Sequence, residues 1–162
     1  MKAHTAALVV PAVLALSCSY KSLHGFAQPE LAERIGRFVV MHRSGDGRDI
    51  DQFLVSLLHA HGREAKGEVE SMESPDYVVE YVDRWYWDMR TYMIDFRVDV
   101  RDAETGVLLG TSRSFQTSLD AMGRTYQEIV QSALDVALWG PREKAEKSAQ
   151  TTTSRRPKRR GR

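Results

Sequence analysis

Tyr92, Ile94, Phe96, Val98 and Val100 alternate with Met93, Asp95, Arg97, Asp99 and Arg101. A period of two puts the apolar set on one side of a pleated strand and the charged set on the other. A strand is therefore predicted over about 89–101, with one face on a core and one toward water, as antiparallel sheets allow. Just before it, Arg84-Trp85-Tyr86-Trp87-Asp88 breaks the alternation, and three consecutive aromatics between charges cannot all point inward. Shorter apolar stretches at Arg37–Met41, Asp76–Asp83 and Val107–Phe115 predict further strands. The continuous apolar run of Arg37–Met41 suits a central strand buried on both faces. Asp102-Ala-Glu-Thr-Gly106 reads as a short hairpin loop in which Gly106 supplies a positive φ.

Two stretches carry helical periodicity instead. Ile50, Phe53, Leu54, Leu57 and Leu58 share one face, and Asp49 with Gln52 makes a capping box at the start. Gly62 is a plausible stop. Tyr126, Ile129, Val130, Ala133, Leu134, Ala137 and Leu138 form a second stripe, opened by the box Thr125/Glu128 and closed by Gly140-Pro141. Residues 63–75 are polar and read as loop. The predicted order is β-α-β-β-β-α. It implies an α+β, two-layer domain over 37–140, with a mostly antiparallel four-stranded sheet and both helices packed on one face. Residues 18–36, with Gly25 and Pro29, read as a tether. Residues 141–162 lack apolar periodicity and read as a disordered basic tail.

Charge adds a polarity that the net value hides. All 22 acidic residues precede position 147, so residues 1–147 carry a net −5 and the last fifteen carry +6. Apolar (42%) and charged (28%) fractions are those of a soluble globular chain, which leaves the N-terminus as the place to look for membrane attachment. Lys2 precedes an apolar run of eleven residues, Ala6–Leu16. A bilayer span needs about 20, so the run reads as the core of an export signal over 1–17. Leu14-Ala15-Leu16-Ser17-Cys18 follows, and it resembles the bacterial lipobox, in which the cysteine is lipidated and becomes the mature N-terminus. Cys18 is the only cysteine, which excludes an internal disulfide. Ser19 after it, by resemblance to lipoprotein sorting, favours an outer-membrane anchor facing the periplasm. The competing readings are a secretory signal cut after Ala27 and an uncleaved buried segment.

The candidate recognition residues are Asp83, Arg84, Trp85, Tyr86, Trp87 and Asp88. Trp, Tyr and Arg combine large area with a polar edge and dominate binding hot spots. The structural alternative has Trp85 and Trp87 closing the open end of a small core, with Asp83 and Arg84 paired to fix the turn. Glu80, Asp83, Asp88, Asp95 and Asp99 could supply an acid and a base for glycan cleavage, which needs two carboxylates across a cleft. Asp95 and Asp99, interleaved with Arg97 and Arg101, look instead like a solvated strand face. His59 and His61 do not share a helix face, and Asp46–Asp51 lacks the ligand order of a calcium loop, so no metal is expected. No phosphate-binding or dinucleotide glycine motif is present, and no cofactor is expected. Arg155, Arg156, Lys158, Arg159 and Arg160 form a tail suited to anionic headgroups or lipopolysaccharide phosphates. The export signal argues against nucleic acid.

Tyr81-Val-Asp83-Arg84-Trp85-x-Trp87-Asp88-Met89, with Asp102-x-x-Thr-Gly106 and Ser-Phe-x-Thr-Ser at 114–118, resembles a group of small, uncharacterised proteobacterial lipoproteins. That resemblance implies an envelope location and a small α+β domain. It brings no established activity. The expectation is a non-catalytic, lipid-anchored binding or assembly module that presents its aromatic edge to an envelope protein or glycolipid. The alternatives are an envelope hydrolase acting on a glycan, and an assembly factor that pairs through its sheet edge.

Overall fold

The alternation after Tyr92 becomes the longest strand of a six-stranded sheet in the computed structural model, which describes residues 21–33, 35–70, 72–117 and 123–141. The export signal, Cys18 and the tail residues Arg155, Arg156, Lys158, Arg159 and Arg160 lie outside the described residues. The strands are β1 (Lys21–Ala27), β2 (Arg37–Val40), β3 (Glu64–Gly67), β4 (Tyr77–Asp88), β5 (Arg90–Asp102) and β6 (Leu108–Gln116). The helices are α1 (Pro29–Glu33), α2 (Ile50–Ala60) and α3 (Tyr126–Trp139). The order across the sheet is β1-β6-β5-β4-β2-β3. β2 runs parallel to both β3 and β4, and the other pairs are antiparallel.

The expected four-stranded, mostly antiparallel sheet with two helices is thus corrected to a mixed, six-stranded sheet with three helices among the described residues. Both missed strands are edges. β3 is Glu64-Ala65-Lys66-Gly67, where Ala65 is buried while Glu64 and Lys66 face water. Charged, short edges resist unwanted pairing, and they also carry too little apolar pattern to be read. β1 and α1 together occupy most of the stretch expected to be a tether at 18–36. Gly25 of β1 suggests a loop, but the reason for the glycine is packing. A Cβ there would meet the Thr111 carbonyl oxygen and come within 2.7 Å of Val136 Cγ1 on α3.

All the buried apolar residues of the sheet's inner face join the helices in one core. Phe38 and Val40 of β2, Val79 and Tyr81 of β4, and Phe96, Val98 and Val100 of β5 meet Leu54 and Leu58 of α2 and Val130, Leu134 and Leu138 of α3. α3 lies over β1, β5 and β6, and α2 lies over β2 and β3. The inner row of β6 is small or polar: Gly110, Ser112, Ser114 and Gln116, all buried. Small residues let the helix backbone come down onto the strand. Ser112 Oγ donates to the Ala133 carbonyl at 2.7 Å, so its buried hydroxyl is satisfied by the helix itself.

Two local expectations change and one holds. The capping box Thr125/Glu128 is present, with Glu128 N–H to Thr125 Oγ1 at 3.3 Å and Thr125 N–H to Glu128 Oε2 at 2.9 Å. At α2 the cap is Asp46 and not Asp49. Asp49 takes a left-handed φ of 52° and its side chain caps nothing, whereas Asp46 Oδ2 accepts from Ile50 N–H at 2.7 Å. The strand alternation also slips. A β-bulge between the pairs Arg84/Asp95 and Trp85/Met93 leaves Ile94 unpaired, so Met93 enters the core in place of Ile94. An extra residue in one strand exchanges the faces beyond it.

Gly110→Ala tests the close approach. The new Cβ would strike the Ala137 carbonyl and lie 3.1 Å from Leu31 Cδ2. The expected outcome is a loss of about 2 kcal/mol or more in chemical denaturation, as for an overpacked core. A melt unchanged from wild type would show that α3 does not rest on β6.

Candidate recognition surface at the β4–β5 hairpin

β4 leaves the core gradually. Its inner row runs Tyr77, Val79, Tyr81, Asp83, Trp85, and burial fades along it. Tyr81 stacks on Phe96 at 6.2 Å, and its hydroxyl donates to Asp46 Oδ2 at 2.6 Å. Asp83 pairs with the Arg43 guanidinium, and its Oδ2 accepts from Trp85 Nε1–H at 2.5 Å. Trp85 packs between the Arg48 guanidinium, 3.9 Å from the ring centroid, and Tyr126 of α3 at 5.8 Å. Cation–π contact of this kind contributes about 0.5–1 kcal/mol at an exposed site. Asp83 and Trp85 therefore close the end of the core, and Asp83 is paired with Arg43 and not with Arg84.

Past Trp85 the hairpin stands clear. Tyr86 is 52% exposed, Trp87 72% and Met89 94%. Tyr86 leans on Tyr92 at 5.8 Å across the strand pair. Met89 makes the turn between the paired Asp88 and Arg90, with φ of 58°. The six-residue segment thus divides. Asp83 and Trp85 serve the core, Arg84 belongs to the outer face, and Tyr86, Trp87 and Asp88 form the projecting tip. Met89 completes the tip and was not singled out by sequence. Its signals in the sequence are its place at the end of the aromatic motif and between two strand patterns.

Among the described residues no helix covers the outer face of the sheet, and its charges are arranged among themselves. Arg113 grips Asp95 with two bonds, Nε to Oδ1 at 2.8 Å and Nη2 to Oδ2 at 2.5 Å. Arg97 pairs with Asp99 at 2.8 Å, and Arg101 with Glu80 at 3.1 Å. Asp95 and Asp99 are only 8% and 9% exposed, so the expected solvated face is in fact a row of carboxylates covered by arginines. Beside Asp95 lies a cavity of about 210 Å³ lined by Val82, Asp83, Arg84, Asp95, Arg97 and Arg113. Among the described residues, the two carboxylates that line it are each paired with another cation, Asp83 with Arg43 and Asp95 with Arg113.

The chemistry at the base of the hairpin is structural in its bonding. A second cavity of about 470 Å³ is lined by Gly45, Asp46, Gly47, Arg48, Asp83 and Trp85. Its two carboxylates are both engaged. Burial pushes the Asp46 carboxyl up, but hydrogen bonds from Tyr81 and from the backbone of Arg48, Ile50 and Asp51 outweigh it and hold the group below its ordinary range. A general acid needs the opposite shift. Arg43, Asp46 and Arg48, which build this region, come from the connection between β2 and α2. Nothing in their spacing shows that they reach β4. Among the described residues no group of three His, Cys, Asp or Glu side chains could hold a metal ion.

His42 Nδ1 lies 3.0 Å from Asp51 Oδ2, whose side chain is buried. The hydrogen bond to Asp51 raises the imidazole above its ordinary 6.5, against a smaller effect of burial, with Asp46 and Glu68 adding to the rise. A raised folded pKa means stability that is complete below 6.5 and lost as pH climbs through the folded value. His42→Gln should therefore lower Tm at acidic pH, and the gap to wild type should close as pH rises above 6.5. Melts across that range, with an NMR titration of the imidazole, test it. A gap independent of pH would refute the charged pair.

No protein-family model matches the chain, and no curated protein matches it. Solved structures do. PelC from Paraburkholderia phytofirmans, a dodecamer, superposes with a TM-score of 0.51 at 12% identity, over 74% of this chain and 95% of that one. A point variant of the same protein in another crystal form gives the same values. A minor lipoprotein from Acinetobacter baumannii aligns at 15% identity over 72% of this chain and 94% of that one, with a TM-score of 0.30. At such identity the likeness to PelC shows the fold alone, and the second likeness is too loose to carry an argument.

Proposed function

We propose that this chain is a cell-envelope lipoprotein, anchored through Cys18 at the outer membrane facing the periplasm. It is a non-catalytic binding or assembly module that presents the β4–β5 hairpin to a partner in the envelope. The observation that carries the reading is the hairpin tip: Tyr86, Trp87 and Met89 stand exposed on a paired, hydrogen-bonded frame. Exposed aromatics on a rigid element give area at little entropic cost, which is what hot spots need. The anchor rests on the Leu14–Cys18 motif after its apolar run. The assembly reading also draws on PelC, whose structure is a dodecamer. The hydrolase reading draws less support, because of its carboxylates Asp83 is committed to Arg43 and Trp85, Glu80 to Arg101, Asp95 to Arg113 and Asp99 to Arg97.

Cys18→Ala should lose fatty-acid label and move the protein from the membrane to the soluble fraction. Label that survives the substitution would exclude the anchor. For the hairpin, a photo-reactive residue at position 87 should give discrete adducts in living cells, and one at the exposed position 104, in the β5–β6 loop, should not. Trp87→Ala should then weaken partner binding by more than about 1 kcal/mol while leaving Tm unchanged. A variant that melts early would place Trp87 in the core instead.

A further inference from the structure

The sheet register fixes the end of the molecule from which the N-terminal chain departs. Lys21, the first residue of β1, lies opposite Gln116. The Gln116 side-chain amide donates to the Met93 carbonyl at 3.0 Å, and Met93 lies opposite Trp85. From that level β1 runs away toward Ala27, opposite Gly110, which in turn faces Val100. The chain before Lys21 therefore leaves at the same end of the sheet from which the β4–β5 hairpin projects.

Distances along the chain are short. Lys21 is three residues from Cys18, a reach of at most about 11 Å when fully extended. The hairpin continues four residues past Trp85 to Met89, roughly 13 Å at strand rise. A lipid on Cys18 would bring the bilayer surface to about the height of the hairpin tip. The tip has the composition of a membrane interface, with Trp and Tyr bearing apolar bodies and polar edges, and Met89 at its apex. On the outer face of the same end, Arg84 lines the 210 Å³ cavity with Arg97 and Arg113, and among the described residues the carboxylates Asp95 and Asp99 are paired with Arg113 and Arg97. Guanidinium groups suit headgroup phosphates.

We infer that the partner of the hairpin is the lipid surface that holds Cys18. Tyr86, Trp87 and Met89 enter the boundary between headgroups and acyl chains as a second attachment, and Arg84 faces the phosphates. One attachment point leaves a domain free to swing, whereas two fix its orientation on the membrane. This inference rests on the reading of the hairpin as a recognition surface and of Cys18 as the anchor.

The test uses the lipidated full-length protein in vesicles containing lipids spin-labelled near the headgroup, with tryptophan fluorescence as the readout. Trp139 is the internal control. It packs on His61 at 4.5 Å, and the next residue, Gly140, lies beside Ala27 at the far end of β1. Trp139→Phe should leave the quenching in place, and Trp87→Phe should reduce it at least twofold. Equal quenching in wild type and Trp87→Phe would overturn the inference. So would a discrete protein adduct from position 87 without quenching, although that result would keep the hairpin as a recognition surface. Absence of both adduct and quenching would remove both readings. Lipid adducts from position 87 together with quenching that depends on Trp87 would establish the bilayer as the partner.

Discussion

The approach of α3 to β6 and β1 is the constraint on which the rest of the structure depends. Side chains ordinarily hold a helix off a sheet, and in a close-packed interior a nearer approach needs small residues between them. Here Gly25 and Gly110 remove the Cβ atoms that would strike Val136 and Ala137, and Ser112 bonds to the helix backbone. With α3 seated there, Phe96, Val98 and Val100 of the central strand are buried on one side only. Among the described residues the opposite face has no second layer. It is stabilised by its own arginine and carboxylate pairs, which hide Asp95 and Asp99 under guanidinium groups.

A second dependence runs through Asp46. One carboxylate starts α2, accepts from Arg48 N–H at 2.9 Å and receives the Tyr81 hydroxyl, so it ties a polar turn to the inner face of β4. The same turn supplies Arg48 to Trp85, and Arg43 at its start holds Asp83. The core end of the aromatic segment is therefore clamped by residues more than thirty positions earlier in the chain. That clamping is why the segment divides where it does. Trp85 is held from both sides, whereas the residues after it have nothing from the turn to cover them.

Much of this is legible in the sequence. The helical stripes of α2 and α3, the box at Thr125 and Glu128, and the Asp102–Gly106 loop follow from local rules, and local rules read well in sequence. In that loop Gly106 has φ of 70°, as its place in the turn requires. The edges did not read, because β1 and β3 have few apolar residues and are defined by the strands they pair with. The bulge at Ile94 was also hidden, since an alternating sequence carries no mark of where its partner strand drops a residue. For the site, sequence placed the aromatic stretch but could not divide it. The division depends on Arg43 and Arg48, whose contacts are set by tertiary structure alone.

The strand order also bears on when the fold can form. β1 is at the beginning of the described chain, and its only partner is β6, near the end of it. Gln28, just after β1, touches the Leu108 carbonyl across a separation of 80 residues. Closing so long a loop is entropically costly and slow relative to local pairing. A chain that emerges N-terminus first must therefore hold β1 unpaired until β6 is available, and α3, which covers both strands, comes later still. Such an order of events makes β1 one of the last strands to find its place, although it is the first to be made.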